Sequence, residues 1–183
     1  MAEQERAETL LAGCRQLLGE EPAAGPRDRL LAYLELLDHW NRAYNLTAVR
    51  DVEEMIPRHV FDSLAVLPWL QTESLLDAGS GAGLPGIPLA IMRPAMQVTL
   101  LDSAGKKVRF LRHARRELGL DNVFPVQDRL EAFEPDPLPP VIISRAFSDL
   151  GRYAAAAQHL LKPGSRLLAM KGRYPADEIE VGS

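Results

Sequence analysis

The chain has 183 residues, of which 46% are hydrophobic and 25% charged, and its formal net charge is −4. This length suffices for one α/β domain with a sizeable core, and the composition is that of a globular protein. A single cysteine excludes an internal disulfide and a cysteine zinc cluster, and the four histidines show no metal-binding spacing. The polar N-terminus and the absence of a long apolar run predict a cytoplasmic protein with no membrane segment and no metal.

The first third of the chain has helical patterns. Apolar residues recur at helical spacing over residues 5–18 and 28–44. Asp51 has the position of a capping residue, and a further helix is expected over residues 57–67 because it would begin with a proline. We therefore expect residues 1–73 to form a helical cap that packs on the rest of the chain.

Short apolar runs and helical stretches alternate after residue 73. This alternation predicts an α/β fold with a mainly parallel sheet and helices on both faces, over residues 74–183. The proline-rich stretch 134–140 is expected to be a surface loop before the fourth strand. The predicted strands are 74–78, 98–101, 123–126, 141–143 and 166–170, and the predicted helices are 86–92, 105–118 and 150–161.

A glycine-rich turn follows the first predicted strand. Residues 75–86 read LLDAGSGAGLPG, with Gly79, Gly81 and Gly83 between the strand and the next helix. Glycine allows the positive φ of a tight turn and lets the backbone approach a ligand closely. In a parallel α/β sheet this turn lies where ligands collect, so it predicts a site for an adenosine-containing cofactor. The spacing Gly81-x-Gly83-x-x-Gly86 also matches the dinucleotide fingerprint, and a turn without any ligand is a third interpretation.

Three features favour S-adenosylmethionine over a dinucleotide. Asp77 precedes the turn, where a carboxylate can meet the ammonium group of the methionine moiety, directly or through water, but would repel a pyrophosphate. The dipeptide Leu84-Pro85 removes a backbone donor at the helix start, which suits a ligand without phosphate. Asp102 ends the second strand, where an acid can hold both ribose hydroxyls, although NAD enzymes place an acid there too.

Two later turns are expected to complete the cofactor site. Leu130 and Glu131 follow the third strand and can read the adenine edge, unless this is an ordinary polar turn. Arg145 follows the fourth strand and can orient a cofactor carboxylate or a phosphate, with a surface salt bridge as the alternative.

The segment 106–116 contains six Lys or Arg residues and no acid. Its apolar residues recur at helical spacing, so the charges, including Lys106 and Lys107, project outward as a patch that can contact RNA phosphates. A solvated helix face is the alternative interpretation. The sequence suggests no catalytic residue. This fits methylation of guanine N7, because N7 has an exposed lone pair and carries no proton, so the reaction needs alignment of the reacting atoms more than a general base.

Several motifs together resemble the GidB/RsmG family of bacterial 16S ribosomal RNA guanine-N7 methyltransferases. The resemblance covers roughly residues 30–180 and is far more specific than the glycine turn alone. The matching stretches are 40–47 (WNRAYNLT), 58–64 (RHVFDSL), 77–88 (DAGSGAGLPGIP), 101–107 (LDSAGKK), 144–147 (SRAF) and 170–172 (MKG).

The resemblance implies a Rossmann-like class I methyltransferase fold, S-adenosylmethionine as donor and a guanine of small-subunit rRNA near the decoding site as acceptor. It also implies that loss of activity brings low-level streptomycin resistance. By position, the expected cofactor contacts are Gly79, Leu84, Leu130, Glu131 and Arg145. The expected RNA contacts, taken with the basic segment, are Arg58, His59, Lys106, Lys107 and Lys171.

Family members continue with a final strand pair where this chain stops at residues 180–183, so we expect a shortened core or a missing part of the chain. The expected partner is 16S rRNA within a small-subunit particle, bound by a monomer. Two other functions stay open from the sequence. One is methylation of another RNA position or of a small molecule, and the other is a non-catalytic adenosine-binding module.

Overall fold

The fold is taken from a computed structural model that describes residues 2–147 and 149–172. The expected shortening of the core after residue 180 lies outside the described residues. Within the described ranges, no helix is long and apolar enough to cross a membrane.

Two long helices form most of the N-terminal cap. α1 spans Ala2–Leu18 and α2 spans Ala24–Tyr44, so both begin earlier than their apolar patterns predicted. The first turns of both helices are largely exposed and carry no apolar stripe, which is why the periodicity does not reveal them. Asn45 ends α2 in the left-handed conformation, with φ of +50°, and its N–H donates to the carbonyl of Asn41.

The third helical segment of the cap begins five residues before the predicted start at residue 57. It consists of α3 (Val52–Met55), a π-helical turn (Ile56–Phe61) and α4 (Asp62–Leu64). Asp51 caps it, because its side chain accepts a hydrogen bond from the Glu53 N–H at 2.9 Å. The proline predicted to open the helix therefore lies inside it, near the start of the π-helical turn. A strong cap thus outweighs the proline signal.

The sheet confirms the predicted fold class. Its order is β3-β2-β1-β4-β5, and every pair is parallel. The strands are β1 (Ser74–Ala78), β2 (Gln97–Asp102), β3 (Val123–Gln127), β4 (Val141–Ser144) and β5 (Arg166–Ala169). The helices between them are α5 (Gly86–Met92), α6 (Gly105–Glu117) and α7 (Leu150–Ala157). The last predicted helix ends early, because a 3₁₀ turn over Gln158–Leu160 replaces its carboxyl end.

Both faces of the sheet are covered, as the alternation of strands and helices predicted. Neighbouring residues of one strand point to opposite faces: Leu75 joins the core shared with the cap, and Leu76 joins the core under α7. The first core is continuous from Leu10 of α1 through α2 to Ile87 of α5 and Leu100 of β2. The cap and the sheet therefore share one hydrophobic core.

The central strand β1 lies between β2 and β4, and the chain crosses over on opposite sides of it. The carboxyl ends of these three strands meet at one edge of the sheet, with Asp77 in register with Leu100 and Ile143. This is the topological switch point at which doubly wound sheets bind ligands. The glycine-rich turn after β1 lies at this edge.

Candidate cofactor site

The glycine-rich turn is held against the end of β2. The N–H groups of Gly79 and Ser80 both donate to the carbonyl of Leu101, at 2.8 and 3.0 Å. Gly79 has φ of +72°, and a side chain there would bring its Cβ to 2.8 Å from the Cβ of Ala146. Only glycine therefore suits this position, because of both its backbone conformation and the close approach of the loop after β4.

Tyr33 of the cap helix α2 is bonded to the same turn. Its hydroxyl donates to the carbonyl of Ala82 at 2.8 Å, and the side chain is completely buried. Burial raises the pKa of Tyr33, so the hydroxyl stays a neutral donor. Sequence reasoning missed this residue, because a tyrosine on the apolar face of a helix reads as core packing.

Asp77, at the end of β1, lies beneath the turn and is fully buried. One carboxylate oxygen, Oδ2, accepts the Gly86 N–H at 2.8 Å, where α5 begins. The other oxygen, Oδ1, has no hydrogen-bond partner among the described residues. Burial raises the pKa of Asp77 to about 7, although the bond from Gly86 acts in the opposite direction. Contact with a cofactor ammonium group stays a prediction, for which Oδ1 offers an acceptor without a partner in the described structure.

Asp102, at the end of β2, organises the other side of the turn. Its Oδ2 accepts from the Gly81 N–H at 2.9 Å and lies 3.4 Å from the Lys107 ammonium, while Oδ1 accepts from the Ala104 N–H at 2.9 Å. The residue is 6% exposed and faces a cleft. Asp102 therefore connects the glycine turn, the start of α6 and the cleft beside them.

The cleft has a volume of about 340 Å³ and opens at the carboxyl ends of the strands. Four of the predicted cofactor residues line it, namely Gly79, Asp102, Leu130 and Glu131. The full lining consists of backbone from the glycine turn and side chains from the three following loops: Gly79, Leu101, Asp102, Ser103, Lys107, Asp128, Arg129, Leu130, Glu131, Ala146 and Phe147. Such a concave site with several convergent polar groups is typical of a cofactor pocket.

Comparison with known proteins identifies the family. A family model described as rRNA small subunit methyltransferase G (GidB) matches residues 27–183. The chain belongs to the rRNA small subunit methyltransferase G family. It is 53% identical over 165 residues to the protein of that name from Nitrosococcus oceani, covering 90% of this chain and 77% of the relative. It is 50% identical over 177 residues to that of Pseudomonas putida strain GB-1, covering 96% and 82%. The resemblance noted from the motifs is therefore confirmed.

Solved structures support the fold alone. A precorrin-6y C5,15-methyltransferase from Geobacter metallireducens gives a TM-score of 0.55 at 16% identity, over 76% of this chain and 72% of that one. A putative O-methyltransferase from Klebsiella pneumoniae gives the same TM-score and identity, over 98% and 83%. The predicted Rossmann-like methyltransferase fold is thus confirmed. The helical cap of this member of the rRNA small subunit methyltransferase G family lies outside the sheet that defines that fold.

Besides Asp77, three other predicted cofactor residues are not part of the lining of the cleft. Gly81, with φ of +59°, supports Asp102 through its N–H. Leu84 is buried in the core shared by cap and sheet. Arg145 forms an ion pair with Asp62 of the cap, with Nη1 and Oδ2 separated by 3.0 Å. The salt bridge that was the alternative interpretation of Arg145 is therefore present in this structure.

His59 was expected to contact RNA, and the structure instead places it inside the cap. It is 3% exposed. Its Nδ1–H donates to the Arg58 carbonyl at 2.9 Å, which leaves Nε2 to accept from the Thr47 hydroxyl at 2.8 Å. Burial lowers the pKa of His59 and favours this neutral form. With both nitrogens engaged and no open surface, His59 serves to hold the segment that carries Arg58.

The remaining predicted RNA contacts of this methyltransferase lie at different places in the structure. Arg58 is exposed and lies 3.4 Å from the Glu54 carboxylate. Lys106 is exposed on α6, and Lys171 is half-buried just after β5. Lys107 points to the cleft through its contact with Asp102, so its position fits the cofactor side better than an outward patch. No cluster of three or more His, Cys, Asp or Glu residues suited to a metal occurs within residues 2–147 and 149–172.

Proposed function

We propose that this protein transfers the methyl group of S-adenosylmethionine to N7 of a guanine in small-subunit (16S) ribosomal RNA. The assignment of the cofactor depends on the cleft, which is lined by the glycine turn, by Asp102 and by the loop of Leu130 and Glu131. The names of the relatives support the RNA class of the acceptor. The N7 position is supported by the resemblance of the motifs.

Asp102 is the residue proposed to hold the ribose hydroxyls. Its carboxylate is already oriented by the N–H groups of Gly81 and Ala104, so little freedom is lost when a diol binds. Leu130 and Glu131 lie in the same cleft and can contact the adenine through backbone and carboxylate. When bound, the sulfonium compound supplies an electrophilic methyl group.

Asp77 is proposed to attract the ammonium group of the cofactor. Its Oδ1 is buried and without a partner in the described structure, so a cationic donor would satisfy it once the glycine turn above it moves to give access. Arg145 is proposed to contact the cofactor carboxylate, which requires the guanidinium to leave Asp62. Gly79 lines the cleft, and its lack of a side chain lets the loop after β4 approach the turn closely at Ala146.

The transfer itself depends on alignment. Guanine N7 attacks through a lone pair that carries no proton, so the protein has to fix the angle and distance rather than remove a proton. The methylated base is cationic, and three carboxylates line the cleft, those of Asp102, Asp128 and Glu131. Their negative potential is proposed to stabilise the charge that develops on the base.

The RNA is proposed to be part of a small-subunit particle in the cytoplasm, bound by a monomer. The formal charge of −4 disfavours tight, general binding of naked RNA and favours recognition of a defined shape. Arg58, Lys106 and Lys171 are the proposed contacts, and Lys107 is proposed to act on the cofactor side of the site.

Two measurements test this function. Calorimetric titration with S-adenosylmethionine and with NAD should show binding of S-adenosylmethionine only, and tighter binding of NAD would refute the cofactor assignment. Small subunits from cells that lack this methylation, and naked rRNA from the same particles, are then incubated with methyl-labelled cofactor and the modified guanines are mapped. Label at N7 of one guanine is expected, preferentially in particles. Label at N1 or N2, or no label, would refute the proposed reaction.

A further inference from the structure

The outward side of α6 is strongly cationic. Lys106, Arg109, Arg112 and Arg115 are exposed there, and none of them forms an ion pair with a carboxylate of the described residues. We call these four residues the α6 outer face. The helix has 13 residues, which corresponds to a length of about 20 Å. Four uncompensated charges over this length make a surface suited to a chain of phosphates.

Two of these arginines lie over aromatic rings. The guanidinium carbon of Arg109 is 6.0 Å from the ring centre of Tyr44, and that of Arg115 is 5.6 Å from the ring centre of Phe124. Such cation–π contacts restrict a long side chain to few conformations. The two guanidinium groups are therefore presented in place, so that less freedom is lost when they bind an anion.

The two rings come from different elements and stand on opposite flanks of α6. Tyr44 ends the cap helix α2, and Phe124 lies on β3, the edge strand of the sheet. Tyr44 is 37% exposed and is supported from behind by Trp40, whose ring centre is 5.1 Å away. Phe124 is 39% exposed. Exposed aromatic rings beside arginines are the combination that binds unpaired nucleotides, because bases stack on the rings while phosphates contact the cations.

Nearby acids do not neutralise the surface. Glu117 is occupied by Arg116 and His113, at 3.2 and 3.7 Å. Asp121 shares a shallow hollow with Arg112 and Arg115 at the carboxyl end of α6 but forms no ion pair with either of them. The amino end of the helix leads to the cofactor cleft, since Lys107 lines that cleft. An RNA strand that lies along α6 would thus reach the place where the methyl group is held.

We infer that the α6 outer face, together with Tyr44 and Phe124, binds unpaired nucleotides of RNA, with Arg109 and Arg115 on phosphates and bases against the parts of the two rings that the arginines leave exposed. This inference rests on the proposed function, because it assigns a second contact surface to the same RNA. It shares Lys106 with the proposed contacts and differs from those at Arg58 and Lys171, which lie on the cap and after β5.

Binding of single-stranded and duplex RNA of equal length, measured by fluorescence anisotropy over a range of salt concentrations, tests the surface. The double variant Arg109→Gln/Arg115→Gln should bind single-stranded RNA at least 10-fold more weakly and reduce the salt slope by about 1.4, the value for two phosphate contacts on a single strand. Arg29→Gln, an exposed arginine at the other end of α2, is the matched control and should bind like the wild type. An unchanged salt slope in the double variant would overturn the inference.

The role of the two aromatic rings is tested with the double variant Tyr44→Ala/Phe124→Ala. We expect about a 10-fold weaker affinity for single-stranded RNA and little change for duplex RNA. Tyr44→Phe/Phe124→Tyr should retain the wild-type affinity because both rings remain. The matched control is Trp69→Ala, which removes the most exposed aromatic ring of the described residues, on the segment before β1 and away from the cleft. Equal losses in the Trp69 variant, or equal losses for duplex RNA, would contradict the assignment to unpaired nucleotides.

Methyl transfer and S-adenosylmethionine binding are measured on the same preparations. Unchanged cofactor affinity in all variants confirms that they are folded. If the wild type transfers no methyl group but its RNA binding responds to the variants as described, the proposed function fails and the surface stands. If the wild type methylates N7 and the variants bind and react like the wild type, the surface fails and the proposed function stands.

Discussion

Two neighbouring strands end in an aspartate, and the fold treats the two carboxylates in opposite ways. Asp77 of β1 is sealed under the glycine turn with one bond from Gly86 and one oxygen without a partner in the described structure. Asp102 of β2 faces the cleft with three donors around it. This difference shows that the helix following each strand determines whether the aspartate at the strand end is covered or can contact a ligand. α5 begins directly over Asp77, whereas α6 begins beside Asp102 and leaves it open to a ligand.

The largest expected effect concerns the buried acid. Because the folded pKa of Asp77 is about 7 and that of an unfolded aspartate is about 3.9, the folded protein holds this proton more tightly. The proton on Asp77 therefore stabilises the folded protein at low pH, and this stabilisation is lost as the pH rises from about 4 through about 7. The free energy of unfolding should fall by up to about 4 kcal/mol over this range because of Asp77 alone.

Asp77→Asn keeps an acceptor for the Gly86 N–H and removes the titration. The free energy of unfolding of the variant, minus that of the wild type, should rise by up to about 4 kcal/mol between pH 4 and pH 8. Urea denaturation at several pH values measures it, and subtracting the wild type removes the contributions of all other groups. If the free energy of unfolding changes with pH by the same amount in both proteins, the pKa of Asp77 is not raised by burial and the proposed contrast with Asp102 is wrong.

The acid that faces the cleft should matter for the ligand as well as for the turn that it holds. Asp102→Ala removes the proposed ribose acceptor and the bond to Gly81, so we expect about a 100-fold weaker affinity for S-adenosylmethionine, equivalent to about 2.7 kcal/mol. Calorimetry measures this loss. Asp102→Asn keeps one acceptor and should lie between the variant and the wild type. An affinity equal to that of the wild type in Asp102→Ala would remove Asp102 from the cofactor site.

The cap contributes a smaller share through Tyr33. Tyr33→Phe removes only the hydroxyl that donates to Ala82, so the cofactor should bind about 5-fold more weakly, in line with about 1 kcal/mol for one hydrogen bond. Tyr153→Phe is the control, because it also removes one buried hydroxyl, but one that donates to Leu168 of β5 and not to the glycine turn. Both variants should lose stability, but only Tyr33→Phe should lose cofactor affinity. Equal affinities would show that the cap does not support the turn.

The smallest effect is expected at the ion pair on the rim of the site. Asp62→Ala should change the free energy of unfolding by less than about 1 kcal/mol, since both partners are partly exposed. If Arg145 has to leave Asp62 to reach the cofactor, the same variant should bind S-adenosylmethionine up to about 3-fold more tightly. Glu54→Ala breaks the comparable pair with Arg58 and serves as control. Weaker cofactor binding in Asp62→Ala would instead mean that the ion pair supports the site.

Much of this arrangement can be predicted from the sequence because it is local. The strand limits at Ser74–Ala78 and the helix Gly86–Met92 follow from runs of apolar residues and from the glycine turn between them. Gly79 and Asp102 can be placed at the site from the same pattern, since parallel strands bring their carboxyl ends to one edge. The start of the third cap segment was predicted wrongly, because the sequence contains two helix-start signals, the capping residue Asp51 and a proline inside the segment.

The amino-acid sequence by itself determined the parallel α/β fold, the glycine turn and the family, since these depend on short-range patterns and on motifs. Only the tertiary structure decided which charged groups are buried and which are open. His59 and Asp77 are buried by the segments that pack over them, whereas the Lys107 ammonium lies 3.4 Å from Asp102 and Arg145 forms an ion pair with Asp62. Periodicity along one segment carries no information about the segment that packs over it. The glycine turn therefore marks the cofactor site, and the cap and α5 determine what its acids can do.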